Sequence, residues 1–167
     1  MNRLSLAIIL CCGACQVKTN TSREERRQRM EGVTLSQSMK GSPAWTLKSR
    51  LALLREDDQR ALLSDPEMEF YREGKAVSHV TALSGEVNTE SHDVRLSSNV
   101  VLNSYEDRSQ MTTSVLTYSS SRQRIATASP IELKRPEGVL RGSGLDASPD
   151  LSEIRIFDQR SVFHEKR

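Results

Sequence analysis

From Gly32 onward, apolar residues recur at every second position. Trp45, Leu47, Ser49 and Leu51 fall on one face, with Thr46, Lys48 and Arg50 on the other. Val94, Leu96, Ser98, Val100 and Leu102 alternate in the same way with Arg95, Ser97, Asn99 and Val101. Ile131 and Leu133 alternate with Glu132 and Lys134, and Ile154 and Ile156 flank Arg155. A period of two predicts strands with one apolar and one solvated face. Turn signals separate these runs: Lys40-Gly41-Ser42-Pro43, Arg72-Glu73-Gly74-Lys75, Glu106-Asp107-Arg108, Pro136-Glu137-Gly138 and Ser148-Pro149-Asp150. The one helix candidate, Leu51–Leu63, is polar at its centre and reads as two strands around an acidic turn at Glu56-Asp57-Asp58.

A weak repeat overlies the strands. Its three copies open at Ser64–Phe70, Ser97–Leu102 and Ala128–Leu133, which sets Pro66, Asn99 and Pro130 33 and then 31 residues apart. Each opening leads into an alternating strand and then a charged turn. The first copy carries its apolar pair, Met68 and Phe70, one residue late, and a β-bulge is the expected reason. One such unit cannot bury its apolar face alone. Stacked units form a long curved sheet folded back on itself.

Composition narrows what lies inside that sheet. Of 167 residues 36% are apolar and 4% aromatic, so the core is thin and aliphatic. An interior with so few large side chains leaves room for an apolar trough. The alternation assigns its lining to Trp45, Leu47, Met68, Phe70, Val94, Leu96, Val100, Leu102, Val115, Ile131 and Leu133. The sheet also leaves an edge at each end, near Val33 and Leu35 and near Ile154, Ile156 and Phe157. An unblocked edge invites another β-protein to add a strand.

The N-terminus has a different character. Arg3 precedes the apolar run Leu4–Cys12, and Gly13-Ala14 stand before Cys15. As a helix this stretch reaches about 18 Å, against a hydrocarbon core of about 30 Å, so it cannot span a membrane unaided. Residues 1–14 read as a signal peptide of lipoprotein type, with Cys15 as the acylated residue, although Cys12 stands where an aliphatic residue is usual. Acyl chains on Cys15 would tether the protein to a membrane. Residues 15–31 read as a tether in which Ser22 and Glu25 have the spacing of a helix capping box. Residues 32–167 then form the β-domain.

Little in the chain suggests catalysis. His79, His92 and His164 lack metal-ligand spacing, and no metal or cofactor is expected. No serine sits in a Gly-x-Ser-x-Gly elbow. Gly142-Ser143-Gly144 begins like a phosphate loop, but no helix pattern follows it, so a bend or bulge in a strand is expected there. Asp57-Asp58 and Glu106-Asp107 are turn acids with too few oxygens at regular spacing for calcium. With 24 basic and 22 acidic residues, the net charge of +2 does not make a nucleic-acid binder.

The ordered motifs resemble the LptC family, the periplasmic component of bacterial lipopolysaccharide export. Those motifs are Gly41-Ser42-Pro43-Ala44-Trp45-Thr46-Leu47, Leu63–Gly74, Ala82-Leu83-Ser84-Gly85-Glu86-Val87 and Val94–Leu102. They continue with Met111-Thr112-Thr113, Leu116-Thr117-Tyr118, Ile125–Ile131 and Leu140–Asp146. Their order and spacing over Gly32–Phe157 carry the resemblance. It implies a twisted, open β-jellyroll, a folded leaf of the OstA-like kind shared with LptA bridge proteins. It implies a non-enzymatic component anchored to the inner membrane. Such a component accepts lipopolysaccharide from the permease subunits of the inner-membrane ABC transporter and hands it to an LptA-like periplasmic bridge protein. Acyl chains ride in the apolar interior while the sugars stay wet. The Val33–Leu35 edge would face the transporter and the Ile154–Phe157 edge the bridge. Two features depart from the family: an acylation signal replaces the usual transmembrane helix, and Ser98 stands where Gly often precedes Asn-Val. Gln16 after Cys15 leaves the outer membrane open as an alternative. The competing readings are an LptA-like bridge, a β-repeat scaffold lipoprotein without a transport role, and a hydrolase.

Overall fold

The computed structural model describes residues 27–39, 41–55 and 58–163. They form one antiparallel sheet with no helical element: β1 (Arg27–Met39), β2 (Ser42–Arg55), β3 (Arg60–Ser64), β4 (Glu67–Arg72), β5 (Lys75–Thr81), β6 (Ser84–Asn88), β7 (Val94–Ser104), β8 (Gln110–Ser119), β9 (Arg124–Arg135), β10 (Gly138–Ala147), β11 (Ile154–Ile156) and β12 (Arg160–Phe163). The predicted all-β architecture is the observed one. The later expected turns fall between strands; of the first, Lys40 lies outside the described residues and Ser42-Pro43 open β2, while β2 and β3 are separated at the expected acidic turn, whose Glu56 and Asp57 also lie outside the described residues.

Register reduces the twelve strands to a simpler object. β3 and β4 pair with the same edge of β2 without a break, Leu51 opposite Ser64 and then Lys48 opposite Glu67. β6 and β5 continue one another along β3 and β4, with Ser64 opposite Ser84 and Glu67 opposite Thr81. β11 and β12 do the same along β10. The chain is thus a meander of long strands, each antiparallel to the last.

From β3 onward the long strands change at their middles, and these places line up as a crease across the sheet. β3 and β4 part at Asp65-Pro66, and β5 and β6 part at Ala82-Leu83. The register shifts between Ser97 and Val100, between Thr113 and Thr117, and between Ser143 and Leu145. Pro66, Asn99 and Pro130, the markers of the weak repeat, all sit on this line. Proline suits it, having no N–H to leave unpaired where a ladder breaks. Ser98 and Asn99 have φ of 67° and 54°. That left-handed backbone explains why glycine is at home at position 98. Gly142-Ser143-Gly144 is the irregular stretch of β10, with Gly144 at φ +87°. A Cβ on Gly142 would lie 2.3 Å from the Ile156 side chain, so the glycine lets β11 approach.

Side-chain hydroxyls repair the broken ladder. Ser49 Oγ lies 2.8 Å from the Leu51 carbonyl and 2.9 Å from that of Ser64. Ser84 Oγ donates to the Ser97 carbonyl at 3.1 Å, and Thr113 Oγ1 to the Pro130 carbonyl at 3.0 Å. Each gives a carbonyl at the crease a hydroxyl donor.

Folding along the crease brings two half-sheets face to face. One half contains β4, β5, the start of β2 and the end of β7; the other contains β3, β6, the end of β8 and the end of β10. Phe70 of β4 meets Tyr118 of β8 edge-on, with ring centroids 4.9 Å apart. Between the halves lies a single aliphatic core that includes Leu47, Met68, Val80, Val94, Leu102, Met111, Ile125 and Leu133. Each fully buried large side chain of this kind contributes roughly 1.5–3 kcal/mol.

Three expectations need correction. The strand begins at Arg27 rather than after residue 31, because Arg27–Glu31 pair with Leu51–Arg55 along β2. Gln28–Glu31 are all exposed, so no alternation announces this strand, and its backbone pairing with β2 is what places it. The late apolar pair of the first repeat does not come from a bulge. Ala61 and Leu63, then Pro66, Met68 and Phe70 are buried, so the inward phase slips by one residue at the crease while the register with β2 stays continuous. A phase slip also displaces Val115. It is half-exposed, and Leu116 turns inward in its place.

Candidate functional site

Alternation decided which side chains would face inward, and apart from Val115 the assigned lining faces the core. Trp45, Leu47, Met68, Phe70, Val94, Leu96, Val100, Leu102, Ile131 and Leu133 are each at most 4% exposed. They come together in one cluster. The cluster is packed and shut. The expected open trough is therefore a filled interior in this structure, and lining and core are the same residues.

Opposite the crease the halves meet only through turns and side chains, and this side forms the mouth of the leaf. The turns after β4, β7 and β9 rim one lip; those after β6 and β8, and the end of β10, rim the other. A cavity of about 360 Å³ opens here. Ala44, Phe70, Val77 and Tyr118 supply its apolar floor, and Arg72, Arg122 and Arg124 line its rim. Burial pushes the Tyr118 hydroxyl's pKa up, as does the nearby Asp93 carboxylate, so the phenol stays neutral.

Residues Ser148–Glu153 cross the mouth from β10 to the opposite lip. Ser78 Oγ donates to the Pro149 carbonyl at 2.7 Å and Ser104 Oγ to the Asp150 carbonyl at 2.9 Å. Leu151, with φ 61° and 1% exposed, drops into the core. Asp150 organises the segment by accepting from Ser148 Oγ, Ser152 Oγ and the Ser152 N–H, and it pairs with Arg72. Burial alone would raise the Asp150 carboxyl. The hydrogen bonds from Ser148 and Ser152 and the Arg72 charge outweigh burial and hold it below the ordinary aspartate value. Arg72 also pairs with Glu106, and Arg124 with Asp146 and Glu153. Gln37 of β1 makes a second, smaller bridge, its Oε1 accepting from Trp45 Nε1 at 2.6 Å and from Ser120 Oγ at 2.9 Å.

The two ends of the meander are its edges. β1 pairs with β2 alone, and β11 and β12 with β10 alone, so among the described residues each has one neighbour. Val33 and Leu35 lie in β1, and Ile154 and Ile156 in β11, half-buried against the core. Phe157 follows β11 and is 49% exposed. Cys15, the signal segment 1–14 and residues 15–26 of the expected tether lie outside the described residues, as does His164. His79 is on the outer face, 3.9 Å from Glu67. Among the described residues no cluster of His, Cys, Asp or Glu could hold a metal ion, and no helix is long and apolar enough to cross a membrane.

A family model described as lipopolysaccharide-assembly, LptC-related, matches residues 7–163, nearly the whole chain. The chain belongs to the LptC family. Its role is therefore in lipopolysaccharide transport, as a periplasmic, inner-membrane-associated component of the export system, and the family is not one of enzymes. No curated protein matches the sequence.

Within this LptC chain, sequence reasoning missed the Ser148–Glu153 segment as anything more than a turn. It also missed Met111, Leu116, Ile125, Leu145 and Leu151 as core residues. Met111 and Ile125 each stand at alternating positions and could have been found by extending the pattern. Leu151 could not, because no period leads to it.

Proposed function

We propose that this LptC chain passes lipopolysaccharide from the inner-membrane ABC transporter to an LptA-like bridge protein, the acyl chains moving between the two half-sheets. One observation carries this reading: a single apolar interior runs from an edge strand with one neighbour, β1, to another, β11–β12. Docked leaves at both edges would extend that interior into one conduit. The present cavity of about 360 Å³ is at the small end for a ligand cleft. Loading several acyl chains therefore requires the halves to part at the mouth, where no backbone ladder joins them. Acylated Cys15 is the proposed tether to the membrane, and mass spectrometry of the mature N-terminus tests it.

The transport reading is tested by crosslinking. A small aliphatic diazirine residue at Leu102 is expected to capture lipopolysaccharide in cells, and the same residue at Arg95 on the solvated face is not. Capture only from position 95 contradicts the reading and leaves a scaffold. The edge is tested by Ile156→Pro. Phe157 N–H bonds to Gly144 O and its carbonyl receives Ser143 N–H, both toward β10, so the N–H of Ile156 points to the free side. Proline there removes an outward donor and spares the inner ladder. Pull-down of the bridge protein is expected to fall while the melting curve stays near wild type; unchanged pull-down contradicts this docking edge.

A further inference from the structure

Three arginines at the mouth face the cavity, and two of them are held by acids: Arg72 by Asp150 and Glu106, and Arg124 by Asp146 and Glu153. Arg122 has no ion-pair partner among the described residues. Asp150 and Glu153 belong to the larger of the two bridges that tie lip to lip. Guanidinium groups pair with phosphate oxygens as readily as with carboxylates, often bidentately. An anion entering this cavity therefore competes directly with the strap for the same donors. Beneath the donors lie Phe70, Val77 and Tyr118, an apolar floor suited to hydrocarbon. A guanidinium rim over an apolar floor is the chemistry of a phosphorylated lipid.

The strap is built to be displaced rather than cemented. Among the described residues its bonds to the far lip are two serine hydroxyls on two carbonyls, the Arg72 pair and a long bond from Arg135 to the Leu151 carbonyl, and no backbone ladder crosses. It inserts one side chain, Leu151, into the core. Removing it uncovers Ser78 and Ser104, 0% and 4% exposed, whose hydroxyls then need new acceptors. The closed arrangement is also incompletely satisfied. Arg135 Nε is buried beside the strap without a hydrogen-bond partner, while its guanidinium reaches the Leu151 carbonyl only at 3.5 Å.

We propose that Ser148–Glu153 is a strap over an anion site, and that phosphate groups of an entering lipid open it by taking Arg72 from Asp150, with Arg122 and Arg124 completing their grip. This rests on the reading that acyl chains enter the leaf. It adds what admits them: the headgroup charge works the strap, and the chains follow into the space Leu151 leaves.

The test uses the full-length chain and two probes. One is a bis-phosphorylated, diazirine-tagged lipid A, and the other is the same lipid with its phosphates removed. Amide hydrogen exchange is read at Leu151, Ser152 and Glu153, whose N–H groups bond within the strap. Acyl capture is read on peptides of β5 and β7. The phosphorylated probe is expected to speed strap exchange by about tenfold or more and to label β5 and β7. The dephosphorylated probe leaves the strap protected. Arg122→Gln weakens the response without loosening the strap in the absence of lipid. Asp150→Asn, which keeps the turn acceptor and loses the charge pair, gives fast exchange with no lipid present. Labelling of β5 and β7 with unchanged strap exchange overturns the strap and leaves the transport reading standing. Equal opening by both probes overturns the anion site. No labelling by either probe overturns the transport reading, and the strap's role with it.

Discussion

The crease and the mouth of this leaf are both places where two half-sheets meet, and they are held by different means. At the crease each long strand runs through covalently, backbone bonds such as Leu83 N–H to Ser98 O continue across, and Ser49, Ser84 and Thr113 serve the carbonyls the bend exposes. At the mouth there is a strap, one glutamine bridge and a set of arginine–carboxylate pairs with partly exposed arginines. The same apolar interior lies between. A molecule that opens and stays folded can open only at the mouth, so the crease is the hinge side and the mouth the moving side.

That contrast can be broken by mutation. The largest effect is expected from Leu102→Arg. The side chain is fully buried, and an unpaired cation there costs several kcal/mol, enough to remove cooperative unfolding from a domain of marginal stability. A variant that still melts cooperatively near the wild-type temperature would show that the interior already admits charge and water. Leu151→Ala removes a buried side chain worth about 2–5 kcal/mol in a rigid core. Here the loss is expected to be local: strap amides exchange faster, while β5 and β7 keep their protection. Equal loss in both would make the strap part of the core rather than a moving piece.

Thr113→Val tests the opposite side. It strips the donor from the Pro130 carbonyl and is expected to lower global stability by about 1–3 kcal/mol, read by urea unfolding, without loosening the strap. Acid gives the smallest and most selective effect. The Asp150 carboxyl lies below its ordinary value, so its contribution is complete above the unfolded aspartate pKa of about 3.9 and is lost as pH falls through the lowered native value. Asp107, raised by burial but lowered further by hydrogen bonds from the Ser109 hydroxyl and N–H and by Arg135, behaves alike on the neighbouring lip. Strap exchange is therefore expected to accelerate below about pH 4 before the crease strands respond. Simultaneous loss would contradict the division.

How much of this could be read in the residues follows from what each element depends on. Strands with one wet and one apolar face declare themselves, because burial repeats every second residue; hence the inward set from Trp45 to Leu133. The crease was visible only as a faint repeat of Pro66, Asn99 and Pro130, since bending a strand needs a few permissive positions and no pattern. The phase slip there is what misplaced Val115. β1 before Gly32 was hidden because an exposed edge strand shows no alternation of burial, and backbone pairing leaves no side-chain signature. The strap depends on contacts between residues some 46 to 78 positions apart, such as Ser104 with Asp150 and Arg72 with Asp150, and no local rule reaches that far.

The most direct test of the account is the distance across the mouth when lipid is bound. Spin labels on noncanonical residues at positions 75 and 123 sit on opposite lips and leave Cys15 untouched. A second pair at positions 50 and 99 lies along the crease. Pulsed electron resonance with lipopolysaccharide present is expected to show the mouth pair moving apart while the crease pair keeps its separation. A lipid-loaded protein with the mouth distance unchanged, or with the crease pair separating instead, would contradict a leaf that opens on its free side.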